Sequence, residues 1–231
     1  MPRMKKHILV CGGIECAASA SSGLVESFRT VLKARGLEEE VHVVTTGCFG
    51  LCASGPVVQL LPDNTLYVGV APQDAEEIVS EHLQKGRRVE RLLHLPGRSE
   101  PEGDDRYKKQ LRIVLRNCGF INPENIGDYL VRDGYVALEK ALLEMTPQEV
   151  IDEVKKSGLR GRGGGGFSTG RKWESVAVEK ADQKYVICNA DEGDPGAFMD
   201  RSMLEGDPHS IVEAMTICGY AIRASKGDWA R

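Results

Sequence analysis

The chain has 231 residues, 41% hydrophobic and 28% charged, with 34 acidic against 30 basic side chains and a formal net charge of -4. That is apolar material for one large domain or two modest ones; collagen-like, coiled-coil and fully disordered classes are excluded, and no charge excess pulls the chain toward nucleic acid. No run approaches the roughly 18 apolar residues of a membrane span, and residues 1–10 lack the apolar core of a secretory signal, so a cytoplasmic protein without direct membrane insertion is expected.

Residues 7–10 read as a short buried strand running into Cys11. Residues 22–36 carry Leu24, Val25, Phe28, Val31 and Leu32 at helical spacing, and Val41 to Val44 form a second strand. Val57 to Leu61 and Thr65 to Val70 flank Asp63-Asn64 as a hairpin, and Pro72 opens a helix through about Leu83 that carries His82. Residues 96–106 are rich in proline, glycine and charge and suit a connector. Beyond it, helices are expected over 107–117, 125–130 and 135–143. Thr146, Pro147 and Glu149 supply a helix cap, a first-turn proline and a capping-box partner for a helix to about Lys156. Residues 184–188 read as a buried strand, and 210–224 as a helix with Ile211, Ala214, Met215, Cys218 and Ile222 inward. The order implies an α/β protein.

Seven cysteines are too few for a disulfide scaffold, and an odd number cannot all pair. Cys11 and Cys16 follow the first strand; Cys48 and Cys52 precede the third, so the two loops can meet at one end of a sheet. The gaps are wider than the C-x2-C knuckle of structural zinc, and a two-iron centre accepts wider gaps. A [2Fe-2S] cluster is therefore expected, with zinc, a redox dithiol and inert buried thiols as alternatives. Cys118, Cys188 and Cys218 read as small buried hydrophobes. The five histidines form no spaced ligand set and read as surface or edge residues.

Residues 158–173, GLRGRGGGGFSTGRKW, concentrate seven glycines among Arg160, Arg162, Arg171 and Lys172. Glycine costs backbone entropy, so such a run suggests backbone approaching a phosphate or flat ring; a flexible linker is the plain alternative. Neither a dinucleotide fingerprint nor a Walker A fits, because the run follows a helix and Arg171 interrupts the lysine position. Residues 189–201, NADEGDPGAFMDR, put carboxylates at the end of a strand, where ligands bind in α/β folds. Together the two segments describe a nucleotide-like ligand, with a bare metal site as the runner-up. No Ser-His-Asp or Cys-His arrangement is evident, and no general acid or base is expected.

The glycine run and the acidic segment resemble the NADH-binding flavoprotein subunit of respiratory complex I and of NAD(P)-linked iron hydrogenases. CGGIEC at 11–16 with TGCFGLCASGP at 46–56 resembles the thioredoxin-like [2Fe-2S] domain that the hydrogenase branch carries ahead of it. The resemblance implies an N-terminal thioredoxin-like ferredoxin domain, 1–95, a linker, 96–106, and the incomplete N-terminal part of an α/β FMN-binding domain, 107–231. It implies that Cys11, Cys16, Cys48 and Cys52 hold the cluster, that Gly161, Gly163, Gly164, Lys172, Asn189, Asp191 and Glu192 line FMN, and that Phe167 stacks on the nicotinamide nucleotide. The implied activity is NAD(P)H dehydrogenase, passing electrons between NAD(H) or NADP(H), FMN and iron–sulfur clusters for a quinone-reducing or hydrogenase complex. The implied partners are a smaller [2Fe-2S] subunit and a hydrogenase or complex I-like large subunit. Family members continue into a segment with a [4Fe-4S] cluster that lies beyond this sequence. The alternative is an electron-transfer or docking module in which only the [2Fe-2S] domain is active.

Overall fold

The computed structural model describes residues 6–18, 21–94 and 111–230. Packing divides the chain into two compact units. The first is Met1–Asn125 with Glu205–Asp207, and the second is Ile126–Leu204 with Pro208–Arg231. The connector read at 96–106 lies outside the described residues.

In the first unit, β1 (Lys6–Cys11) pairs in parallel with β2 (Val41–Thr46), and the crossover is α2 (Ser21–Ala34), preceded by the short α1 (Ile14–Ala18). β3 (Val58–Leu61) runs antiparallel to β1, and β4 (Thr65–Tyr67) closes the hairpin, giving the order β2-β1-β3-β4. Asn64 takes the left-handed conformation, φ 55°, that the tight turn requires. Leu24, Phe28 and Leu32 recur every four residues along α2, and all three are buried against Ile8, Val10, Val58 and Leu60. Each such side chain contributes about 2 kcal/mol of burial.

Strand alternation does the rest. Ile8 and Val10 face the helices, so Leu9 and Cys11 point to the other side of the sheet, where they join Cys16, Phe49 and Val57 in a second apolar cluster. The 72–83 helix begins at Asp74 as α3 (Asp74–Glu77) and continues as a wider π-type turn over Ile78–Gln84. His82 is a correction to the surface reading. It is buried, its Nδ1 meets the Tyr67 hydroxyl at 2.8 Å, and its Nε2 meets Asp63 at 2.7 Å. Burial is tolerable because both ring nitrogens are satisfied.

The expected 107–117 helix is also corrected: residues 107–110 lie outside the described residues, and 113–120 form a bend and turns. Leu111 is 85% exposed while Asn117 and Cys118 are buried, a pattern without a continuous apolar helical face.

The second unit contains α4 (Ile126–Leu130), α5 (Val136–Glu144), α6 (Pro147–Lys156), α7 (Thr169–Ala177), all but the last two residues of α8 (Met199–Gly206) and α9 (Pro208–Ile222), with β5 (Tyr185–Asn189) parallel to β6 (Lys226–Ala230). Thr146 and Glu149 form the expected capping box with Pro147 in the first turn of α6. Ala141, Val150, Ile151 and Ala221 make the core, with Trp173, Ile217 and Tyr220 packed on it.

The buried reading of 184–188 does not hold. β5 is a strand, but Tyr185 is 55% and Ile187 65% exposed. Val186 lies beside Gly219 of α9, while the alternate residues face outward. Along α9, Glu213 is buried and Ala214 exposed, the reverse of the expected assignment for Ala214. Among the described residues, no helix is long and apolar enough to cross a membrane.

Candidate functional site

The parallel pairing of β1 and β2 puts Cys11 opposite Thr46, so the loops that follow both strands leave the same edge of the sheet. One loop leads to Cys16, the other to Cys48 and then Cys52, which opens a single 3-10 turn over Cys52–Ser54. The four thiols influence one another in a row: Cys11 interacts with Cys16 and with Cys48, and Cys48 with Cys52. Cys11 and Cys16 are buried, Cys48 is half-buried and Cys52 is exposed.

Proton affinity is divided along this row. The hydrogen bond from Cys11 holds the Cys16 thiol below its ordinary value, against an opposing effect of burial. Cys11 is raised by its bond with Cys16, and Cys48 is pushed far up by its bond with Cys11 and then by burial.

Two glycines let the backbone close on these sulfurs. A Cβ on Gly13 would stand 3.1 Å from the Cys48 sulfur and 3.5 Å from that of Cys11, and one on Gly55 would stand 2.7 Å from the Cys16 sulfur. The Gly50 amide donates to the Cys48 sulfur at 3.3 Å. No group of three or more His, Cys, Asp or Glu among the described residues is disposed to hold a metal ion. A two-iron centre has a different demand, two thiolates to each iron with sulfide between them. Four sulfurs in a row, a bare backbone around them and an amide aimed at one of them fit that demand.

In the second unit, the glycine run is a hairpin-like loop. Arg160 bridges Ser168, and the Gly161 amide donates to the Phe167 carbonyl at 2.8 Å. Around Gly163, Gly164 and Gly165 nothing lies within 4 Å of where a Cβ would stand, so the loop leaves an open cradle. Gly164 has φ +97°, a conformation side chains avoid. Phe167 is 64% exposed beside it. Ser168 caps α7, its hydroxyl accepting from the Arg171 amide, and Lys172 is exposed on that helix. Gly170 has a different task. A Cβ there would stand 2.6 Å from the Lys155 backbone nitrogen, so this glycine serves the close crossing of α6 and α7.

The acidic segment leaves the end of β5. The Asn189 side chain accepts from the Asp191 amide at 3.0 Å, and the Glu192 carboxylate accepts from the Asp200 and Arg201 amides at 3.0 and 3.4 Å, capping α8. Asp191 is exposed. Burial and then the Glu192 charge raise the Asp200 carboxyl. An open amide-rich loop suits a phosphate or flat ring, and the carboxylate-lined turn suits hydroxyl or ring N–H groups.

Cys118 is buried, and burial pushes its thiol up to about 11; Cys218 is raised to about 11 for the same reason, and Cys188 is raised by burial. Cys118 fits its reading as a packing residue, whereas Cys188 and Cys218 are only partly covered.

A residue not singled out in the sequence is Glu213. Its buried carboxylate accepts from the Tyr129 hydroxyl and from the Tyr135 and Leu138 amides, the latter two at 3.0 Å, fastening α9 to the start of α5. A glutamate on a mostly apolar helix is the available signal for it.

Residues 1–83 match the thioredoxin-like [2Fe-2S] ferredoxin family, and residues 154–228 match the Nuo51 FMN-binding domain family. Each segment is thus similar to a different domain family, the first to the ferredoxin kind and the second to the FMN-binding kind. Over 120 residues the chain is 67% identical to the NADP-reducing hydrogenase subunit HndC of Solidesulfovibrio fructosivorans, covering 52% of this chain and 24% of that one. Over 230 residues it is 35% identical to the NAD-reducing hydrogenase HoxS subunit alpha of Cupriavidus necator, covering 98% of this chain and 36% of that one. The crystal structure of the thioredoxin-like [2Fe-2S] ferredoxin from Aquifex aeolicus is 34% identical, with a TM-score of 0.37, over 39% of this chain and 97% of that one. The chain thus spans about a quarter to a third of the length of these curated relatives.

Proposed function

We propose that the chain is part of an NAD(P)H:acceptor oxidoreductase subunit that passes electrons between NAD(P)H, FMN and iron–sulfur clusters in a cytoplasmic, multi-subunit quinone-reducing or hydrogenase complex. The observation that carries this reading is the gathering of Cys11, Cys16, Cys48 and Cys52 at one edge of a small sheet, in a chain that also presents an open glycine cradle. The domains run over 1–95 and 107–231, joined by 96–106.

The four cysteines hold a [2Fe-2S] cluster. Gly163 and Gly164 bring bare amides toward the FMN phosphate, Gly161, whose amide is held by the Phe167 carbonyl, shapes the cradle that lines FMN, and Lys172 adds positive charge there. Asn189 and Glu192 keep the acidic turn in shape from their hydrogen bonds to Asp191, Asp200 and Arg201, while Asp191 is exposed to take a ligand hydroxyl. Phe167, exposed at the cradle, stacks on the nicotinamide nucleotide. Bound FMN would supply the exchange between two-electron hydride chemistry and one-electron transfer. The residues orient and exclude water; no proton-transferring side chain is required of them. The relatives are named as hydrogenase subunits, which supports other subunits of a redox complex as partners; a smaller [2Fe-2S] subunit and a hydrogenase or complex I-like large subunit are those the sequence resemblance implies.

The test is the visible spectrum of anaerobically purified protein. Flavin bands at roughly 375 and 450 nm together with cluster absorption support the reading. Cluster absorption without flavin, even after FMN is added, supports instead an electron-transfer or docking module in which only the first domain is active. A colourless protein with stoichiometric zinc would sink both.

A further inference from the structure

We propose that Arg112 is a positioning residue for the cluster, an electrostatic clasp that makes it easier to reduce. The proposal rests on the cluster reading above. Arg112 lies outside both matched segments, 1–83 and 154–228, yet it belongs to the same compact unit as the four cysteines.

The geometry is specific. The Arg112 guanidinium donates to the carbonyl of Phe49, which stands between Cys48 and Cys52. The adjoining Gly50 has φ +79°, and the guanidinium nitrogen lies 2.1 Å from where a Cβ on Gly50 would stand. The positive group thus fills the space that glycine leaves open, over the loop whose Gly50 amide donates to the Cys48 sulfur. Thr46 fixes the same stretch from the other side, its hydroxyl donating to the Ile121 carbonyl at 2.8 Å in a buried contact. Residues 112–121 therefore hold the second ligand loop against its strand, with a permanent cation on it.

Reduction adds one negative charge to an iron–sulfur centre, and nearby charge and hydrogen bonds to sulfur are established levers on its potential. A guanidinium stays charged at any working pH, and partial burial weakens its screening. Arg112 thus favours the reduced cluster. It also makes the potential depend on a segment that follows the ferredoxin fold.

The experiment is an EPR-monitored redox titration of the full chain with Arg112→Gln and Arg112→Lys. Glutamine keeps an N–H for the Phe49 carbonyl and removes the charge; lysine keeps the charge and loses the fork. Arg112→Gln is expected to lower the equilibrium constant for reduction about tenfold, which is about 59 mV for one electron. Arg112→Lys is expected to stay within about threefold of the parent.

An Arg112→Gln chain that holds its cluster and stays within threefold overturns the proposal. So does an Arg112→Lys chain displaced about tenfold. Should the glutamine chain fail to hold the cluster, Arg112→Met serves as the second neutral variant, read by the same criterion. If the parent chain takes up no cluster at all, it is the functional reading that fails, and iron analysis of the parent distinguishes that case from failure of the clasp.

Discussion

Cys11 is the last residue of β1, and strand alternation alone turns its sulfur away from the helical core and toward Cys16. Because it interacts with both Cys16 and Cys48, it sits at the middle of the row. Replacing Cys11 or Cys48 by serine should remove most of the iron and visible absorption of the anaerobically reconstituted protein, whereas Cys188→Ser or Cys218→Ser should leave both within error. Equal loss from all four variants would contradict the assignment. Glu213 allows a second comparison at this scale. Its carboxylate serves a hydroxyl and two amides in a buried place, so Glu213→Ala leaves three donors without their acceptor, at a cost of about 3 kcal/mol. Glu213→Gln, which keeps an acceptor, should cost less than half of that in denaturant unfolding. The cysteine pattern is legible in sequence because metal-ligand spacing is local. The Asp63–His82–Tyr67 chain is not, since a histidine on a helix looks the same whether it faces water or two partners 15 and 19 residues away.

At the scale of elements, the glycine run separates into two functions that look alike in sequence. Gly170→Ala pushes a methyl group into the Lys155 backbone, which cannot yield, and should destabilise the second unit by about 2 kcal/mol through overpacking of α6 on α7. Gly163→Ala meets open space, so it should leave thermal stability within a degree or so of the parent and weaken FMN binding instead. Calorimetry paired with flavin titration reads both effects. If Gly163→Ala also leaves flavin affinity untouched, the cradle is not the site.

The α6 cap gives a pH-dependent test. Backbone and side-chain hydrogen bonds from Thr146 hold the Glu149 carboxyl below its usual value of 4.5. Its contribution is therefore present above the unfolded value and is lost as pH falls through the lower folded one. Thr146→Ala should cost about 1 kcal/mol at pH 7 and progressively less below pH 4.5. A cost that stays constant down to pH 2 would contradict the Glu149 carboxylate's share in the cap, since the Thr146 hydroxyl's bond with the Glu149 amide does not titrate.

That cap is legible because its signal is four residues long, as is the β-α-β-β-α order of the first unit, where apolar residues repeat at strand or helix period. The turns at 113–120 and the half-exposed β5 are less so. Whether Ile187 is covered depends on what packs on the sheet, and the residue's own neighbours in sequence do not say. β6 is hardest to see, since Lys226 and Asp228 interrupt any apolar pattern and pairing with β5 is what makes the strand.

On the scale of the whole molecule, two domain families meet in one chain, and each was readable from a motif: four cysteines for the first, a glycine run with an acidic turn for the second. The chemistry asked of them is complementary. One offers soft sulfur donors at a sheet edge; the other offers bare amides and carboxylates beside an exposed aromatic ring. The most direct test of this account is iron and acid-labile sulfide content of the anaerobically reconstituted full chain, read with its EPR spectrum after dithionite reduction. The account predicts about two irons and two sulfides per chain, with a spin-half signal that disappears in Cys48→Ser. Stoichiometric zinc with no inorganic sulfide, or a signal that survives the loss of Cys48, would contradict it.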